Sequence, residues 1–252
     1  MDRQHRGRAR AWAAALAGII LAGGLAGAAA AERRVSGEFE LLIGGLTAGE
    51  LSVDGAVEES AGRYEIQVSV GTAGFVRRLY EAGLDASTSG ALEAGALRPS
   101  VFSSDFYAPE RSRKVEMRYS DGAPSVRAEP DWDPKPWQLV PEDQRGVLDP
   151  LTAVLFALSG RPQSELCDRT VEIFDSRRLF AIIIGPAAAP DSEGEIVCPA
   201  AYKRLGGFKP KMLEREPFPF RMVFREGADG HWQIERALGD TPVGVAVLRR
   251  KR

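Results

Sequence analysis

From residue 35 onward, apolar and polar positions alternate in short runs that stop at glycine, proline or aspartate. That period marks strands with one buried face rather than helices. Val35-Ser-Gly-Glu-Phe-Glu-Leu-Leu-Ile43 ends at Gly44-Gly45, and Ala48-Gly-Glu-Leu-Ser-Val-Asp-Gly55 follows as a second strand. In Arg63-Tyr-Glu-Ile-Gln-Val-Ser-Val70 the alternation is strict and puts Tyr64, Ile66, Val68 and Val70 on one face. Further strands are predicted at 82–89, 97–107, 112–119 and 122–129, and again at 165–174, 178–184, 195–202, 219–225, 231–238 and 243–249. About a dozen strands make a sheet long enough to curl or close on itself. The expected class is all-β, one continuous, strongly curved antiparallel sheet.

Two stretches break the rhythm. Pro130, Pro134, Pro136 and Pro141 rule out a central strand over 130–141, which reads as a long extended connection. The second is Asp149-Pro-Leu-Thr-Ala-Val-Leu-Phe-Ala-Leu-Ser-Gly160. Asp149 suits an N-cap, Pro150 the first helical position and Gly160 the stop, so a short amphipathic helix is predicted over 150–159. Its apolar face is Leu151, Val154, Leu155 and Leu158, spaced i, i+3, i+4, i+7, and Thr152 falls on the opposite face. One helix in a β protein packs on the sheet. Here it would lie on the concave side and serve as the lid of a groove.

The N-terminus reads differently. Arg3, Arg6, Arg8 and Arg10 precede an apolar run from Trp12 and then Ala28-Ala-Ala-Ala31, which together form a signal peptide cleaved before Glu32. The apolar core is too short for a membrane span, so the expected product is residues 32–252 as a single β-rich domain in the periplasm with no transmembrane anchor. Residues 1–31 hold four arginines and one aspartate of the chain's 33 basic and 35 acidic residues, which leaves 29 against 34. A mildly acidic domain of this kind lacks the electrostatic footprint of a nucleic-acid binder. The basic Arg249-Arg-Lys-Arg252 end reads as a solvated tail. Two cysteines in an oxidising compartment read as a bridge, so Cys167 and Cys198 are expected to be bonded.

Catalytic chemistry is nearly absent from the pattern. His231 is the one histidine after residue 31, too few for a multi-histidine zinc site, and it sits in a Gly-Ala-Asp-Gly turn before a strand. No G-x-S-x-G, P-loop or G-x-G-x-x-G occurs. Asp131 and Asp133 lie in the proline-rich connection and read as solvated acids. No enzyme activity, cofactor or metal is expected.

Read in order, several short segments resemble one exported family. They are Phe39-Glu-Leu-Leu-Ile-Gly-Gly-Leu-Thr-Ala-Gly49, Gly71-Thr-Ala-Gly-Phe-Val-Arg-Arg-Leu-Tyr80, Leu97-Arg-Pro99, Arg113-Lys-Val-Glu-Met-Arg-Tyr-Ser-Asp-Gly122, Leu148-Asp-Pro-Leu-Thr-Ala153 and Val171-Glu-Ile-Phe-Asp-Ser-Arg-Arg178. Together they resemble the exported proteobacterial family known only as domain of unknown function 3108. The cysteine pair, Gly206-Gly-Phe-Lys-Pro210 and Asp240-Thr-Pro-Val-Gly-Val-Ala-Val247 are similar to its alphaproteobacterial branch. The resemblance implies an open or spiral antiparallel barrel, broadly similar to periplasmic lipoprotein carriers, with no catalytic residues to carry over. Ser176 stands where the family pattern favours glycine, which bears on the tightness of that turn. The expected function is non-enzymatic support of the cell envelope through a concave apolar groove or a protein partner. The alternative is a carrier or sensor of a lipid or acyl chain, and an enzyme of unknown class stands third.

Overall fold

In the computed structural model, which describes residues 32–188 and 194–251, thirteen strands form one sheet. The signal peptide expected over 1–31 lies outside the described residues. The strands are β1 Glu32–Ile43, β2 Leu46–Glu58, β3 Arg63–Thr72, β4 Gly83–Glu93, β5 Ala96–Ala108, β6 Arg111–Ser120 and β7 Ala123–Glu129. After a long connection come β8 Arg169–Phe174, β9 Leu179–Ile184, β10 Ile196–Gly206, β11 Phe218–Glu226, β12 Trp232–Thr241 and β13 Gly244–Arg250. The described residues also form three α-helices, α1 Gly74–Leu79, α2 Pro150–Leu158 and α3 Pro210–Leu213. Only α2 was expected from the sequence; α1 and α3 span six and four residues, too short to show a helical period.

The sheet order is β7-β6-β5-β4-β3-β2-β1-β13-β12-β11-β10-β9-β8, and every strand pair is antiparallel. Two meanders therefore run outward from a seam between β1 and β13, where Phe39 faces Arg250 and Ile43 faces Ala246. Turn chemistry sets the hairpins. Gly44-Gly45 and Asp121-Gly122 both carry positive φ at two successive positions, the conformation that matches the twist of a two-residue hairpin.

The β8–β9 turn shows how a side chain substitutes for glycine. Ser176 adopts φ +81°, and the turn closes regardless because Asp175 Oδ1 accepts the backbone N–H of Arg177 and Arg178 at 3.1 and 2.8 Å. The left-handed backbone of a non-glycine residue costs about 1 kcal/mol. Ser176→Gly should therefore raise the unfolding free energy by up to about 1 kcal/mol in urea titration, and an unchanged or lower midpoint would show that the serine is not strained.

One apolar core runs through both meanders. Tyr64, Ile66 and Val68 of β3 are buried, as are Phe39 and Val53 on one side of the seam and Met222, Phe224 and Ile234 on the other. Val70 is partly buried against the same core. The basic end is not a free tail. Arg249 and Arg250 belong to β13, Arg249 pairs with Glu40 at 2.8 Å, Lys251 pairs with Glu50 at 2.8 Å and Arg250 lies over the Phe39 ring. Glu40 of β1 and Glu50 of β2 thus offset two of these charges, which the run of like charges alone does not reveal.

The helix and the grooves beside it

The chain passes from one edge of the sheet to the other through residues 130–168, and this connection carries α2 across the concave side. Four attachments fix its path. Before the helix, Gly146 N–H donates to the Gly122 carbonyl, and Leu148 makes a bridge to β8 by exchanging hydrogen bonds with Glu172 and Phe174. After it, Arg161 exchanges two backbone bonds with Trp232 at the start of β12. Cys167 is bonded to Cys198 of β10, with their Cα atoms 5.7 Å apart. The helix is thus a strut tied to strands at both ends, and it forms a wall of the concavity.

Its packing departs from the amphipathic expectation at two positions. Leu151, Leu155 and Leu158 are buried as predicted, but Val154 is only partly buried and faces an open groove. Thr152, assigned to the opposite face, is fully buried. The reason is that the sheet curls around the helix, which contacts β3, β4 and β5 of one meander and β8 and β12 of the other. A helix enclosed this way has no solvent face to give a polar residue.

Thr152 instead enters a hydrogen-bonded chain. Tyr64 Oη and Thr152 Oγ1 are 2.7 Å apart, and Thr152 Oγ1 donates to Asp149 Oδ2 at 2.5 Å. Asp149 Oδ1 accepts from Thr88 Oγ1 at 2.8 Å and from the N–H groups of Leu151 and Thr152 at 2.9 and 3.0 Å. This is an N-cap whose carboxylate also ties the helix to β4 through Thr88, while Thr152 ties it to β3 through Tyr64. Burial pushes the Asp149 carboxyl up from its ordinary range, and the hydrogen bonds to its charged form oppose that shift. Burial likewise raises Tyr64 and Tyr119, both of which also feel the Asp149 charge. Both carboxylate oxygens of Asp149 are thus engaged in anchoring the helix.

On one side of α2 lies a groove of about 430 Å³. Its walls are Val154, Phe156 and Ala157 of the helix facing Ile182 of β9 and Met222 of β11, and every lining residue is apolar except Arg161 and Arg169. Both guanidinium carbons lie over the Phe156 ring, at 4.0 and 5.3 Å from its centre. Arg161 is brought down to about 10 by burial and by the Arg169 charge. Buried Arg169 Nε has no hydrogen-bond partner. On the other side of α2 is a second cleft of about 490 Å³, with an apolar floor and arginine walls. A wider hollow of about 880 Å³ lies on the outer face of β3–β7, but it is an open trough of serines and acids bonded across strands, such as Ser69 to Asp85 and Ser87 to Ser103. The two concave spaces, not the largest hollow, combine enclosure with apolar surface.

None of the residues considered for catalysis lines either space, although Asp131 and Asp133 flank Trp132 at the second cleft. His231 is exposed just before β12 with Asp229 3.5 Å away, and Asp131 and Asp133 are exposed in the connection. Arg161, Arg169 and the hydroxyl chain escaped the sequence reading. The signal that could have flagged the chain is Thr152 itself, the one hydroxyl in an otherwise apolar helix.

A family model described as "Protein of unknown function (DUF3108)" matches residues 38–187, from β1 through α2 to β9. The chain belongs to this family. The DUF3108 match ends before β10–β13, so Cys198 and the β11 wall of the apolar groove lie beyond the matched span. No curated protein matches the chain. Among solved structures, it is similar to the crystal structure of a beta-barrel-like protein of domain of unknown function DUF1849 from Brucella abortus. The TM-score is 0.49 at 13% identity, over 88% of this chain and 98% of that one. Within the DUF3108 chain, no described helix is long and apolar enough to cross a membrane.

Proposed function

We propose that this is a non-enzymatic periplasmic protein that supports the cell envelope by holding an apolar ligand in the groove between α2 and strands β8, β9 and β11. The observation that carries this reading is the groove itself, hollow at about 430 Å³ and apolar throughout except for Arg161 and Arg169. Ligand sites are commonly about 300–1,000 Å³ and mostly apolar with a few polar groups. A core filled by side chains would have favoured a surface for a protein partner; an open slot favours a lipid or acyl chain. The leader expected at residues 1–31 supports the periplasmic location, and the enclosure of Asp149 among structural hydrogen bonds supports a binding role over catalysis.

Native mass spectrometry of protein purified from the periplasm tests the reading. Wild-type protein should carry an added mass that organic extraction identifies as a lipid. Ala157→Phe, which projects a ring into the groove, should lose that mass while keeping the wild-type unfolding midpoint, and should fail to complement a deletion strain under envelope stress. Ligand-free wild-type protein together with full complementation by Ala157→Phe would overturn the proposal.

A further inference from the structure

The cleft on the far side of α2 has a different chemistry. Its floor is Leu84 and Phe102 with Leu151 of the helix, and its walls bring Arg111 and Arg113 of β6 together with Arg177 and Arg178 of the β8–β9 turn. These pairs are separated by more than sixty positions in the chain, and only the curl of the sheet makes them neighbours. Trp132 of the proline-rich connection stands between them. The guanidinium carbons of Arg113 and Arg177 lie 3.8 and 4.3 Å from its ring centre, so two like charges are held no farther apart than the sum of those distances.

Among the described residues no ion pair neutralises this group, although the Asp175 carboxyl lines the same cleft and feels the charges of Arg177 and Arg178. Asp175 and Asp133 act on Arg177 from a distance, but among the described residues no carboxylate comes within ion-pair range of any of the four arginines. Arg113 donates to two backbone carbonyls, those of Pro130 and Asp131. Asp175 is already committed to the N–H groups of Arg177 and Arg178. Burial and the neighbouring Arg178 charge hold Arg177 below its ordinary range, the direction expected of a cation that lacks its counterion.

The site is also built in advance. Besides the Asp175 bonds, the turn is pressed by Gly207, where a Cβ would sit 2.1 Å from the Arg177 carbonyl oxygen. Arg177 and Arg178 therefore project from a fixed backbone, and Arg113 is fixed by its two carbonyls. Planar guanidiniums presented this way suit a tetrahedral, multiply charged oxyanion better than a single carboxylate. The apolar floor suits the carbon chain that follows it.

We propose that this cleft binds an amphiphile with a phosphate head, with the phosphate among Arg111, Arg113, Arg177 and Arg178 and the first carbons of its tail on the Leu84–Phe102–Leu151 floor. The site is independent of the apolar groove on the other side of the helix.

Isothermal titration of the exported protein with dihexanoyl phosphatidic acid, below its micellar concentration, tests this. Binding should be saturable at one site, weaken as salt is raised, and be at least about tenfold tighter than for inorganic phosphate or dihexanoyl phosphatidylcholine. Arg113→Ala with Arg177→Ala should weaken it by about tenfold or more. Arg111→Gln with Arg178→Gln, both on exposed side chains that make no side-chain hydrogen bond, should do the same while the protein still unfolds in one cooperative thermal transition. Arg169→Ala, in the other groove, should leave it unchanged. Equal affinity for inorganic phosphate would overturn the amphiphile in favour of a free-anion site. Undiminished binding by the Arg111→Gln, Arg178→Gln variant, or loss in Arg169→Ala, would overturn the assignment to this cleft.

Discussion

Replacing Thr152 by lysine is expected to destabilise the protein by more than about 4 kcal/mol, enough to leave much of it unfolded at room temperature. The sequence period puts Thr152 on the outer face of α2, where lysine would be harmless. In the folded chain the residue is fully buried between two meanders, and its hydroxyl links Tyr64 to Asp149. An ammonium there loses its water, overfills the site and cuts the link. Thr152→Val separates these effects. It keeps the shape and leaves Tyr64 Oη and Asp149 Oδ2 unsatisfied, which should cost about 2–3 kcal/mol. Urea unfolding followed by tryptophan fluorescence measures both. A lysine variant within 1 kcal/mol of wild type, on the order of a typical surface change, would show that the helix does not lie inside the curl.

Asp149→Ala is the second large effect, expected at about 3–4 kcal/mol, because it removes the helix cap and strands the buried hydroxyls of Thr88 and Thr152. The isosteric Asp149→Asn should lose far less, since its oxygen still accepts the capping N–H bonds and its amide can donate to Thr152 Oγ1. The pH dependence then distinguishes carboxyl from amide. The native carboxyl titrates above its ordinary value of 3.8. Between that raised value and 3.8 the folded state binds more protons than the unfolded one, so this group's contribution to stability grows as pH falls through the native value. Wild type should therefore gain stability relative to Asp149→Asn on going from pH 7 toward pH 4. A difference that stays flat, or shrinks, would refute a raised native value. Glu195 works in the opposite sense in both proteins and cancels in the comparison. Its hydrogen bonds to Arg236 and Arg225 hold its carboxyl low, so that support is lost only in acid.

What the sequence revealed and what it concealed divide along one physical line. Alternation and turn residues depend on neighbours a few positions away, and they located the strands on both sides of the connection. Asp149, Pro150 and Gly160 bounded α2 for the same reason. The concave site is made by partners far apart in the chain. Thr88 and Asp149 are 61 positions apart, and Tyr64 and Thr152 are 88. No local pattern marks a threonine as interior when its helix is surrounded. The arginines of the second cleft look like ordinary polar strand and turn residues until the sheet curls, and Trp132 looks like part of a proline-rich link. Ser176 is the intermediate case. Its departure from glycine was visible, but the Asp175 side chain that compensates for it was not.

The seam between β1 and β13 has a consequence for how the fold is reached. Each meander can grow hairpin by hairpin from nearby residues, whereas the seam joins groups such as Glu40 and Arg249, 209 positions apart. Contacts of such high order form late and slowly. Until they do, β1 and β13 each present a long unpaired edge, the kind of template on which chains aggregate. Glu38, Glu40, Arg249 and Lys251 charge those same edges, so the residues that later pair across the seam also discourage either edge from accepting a strand of another molecule while it waits.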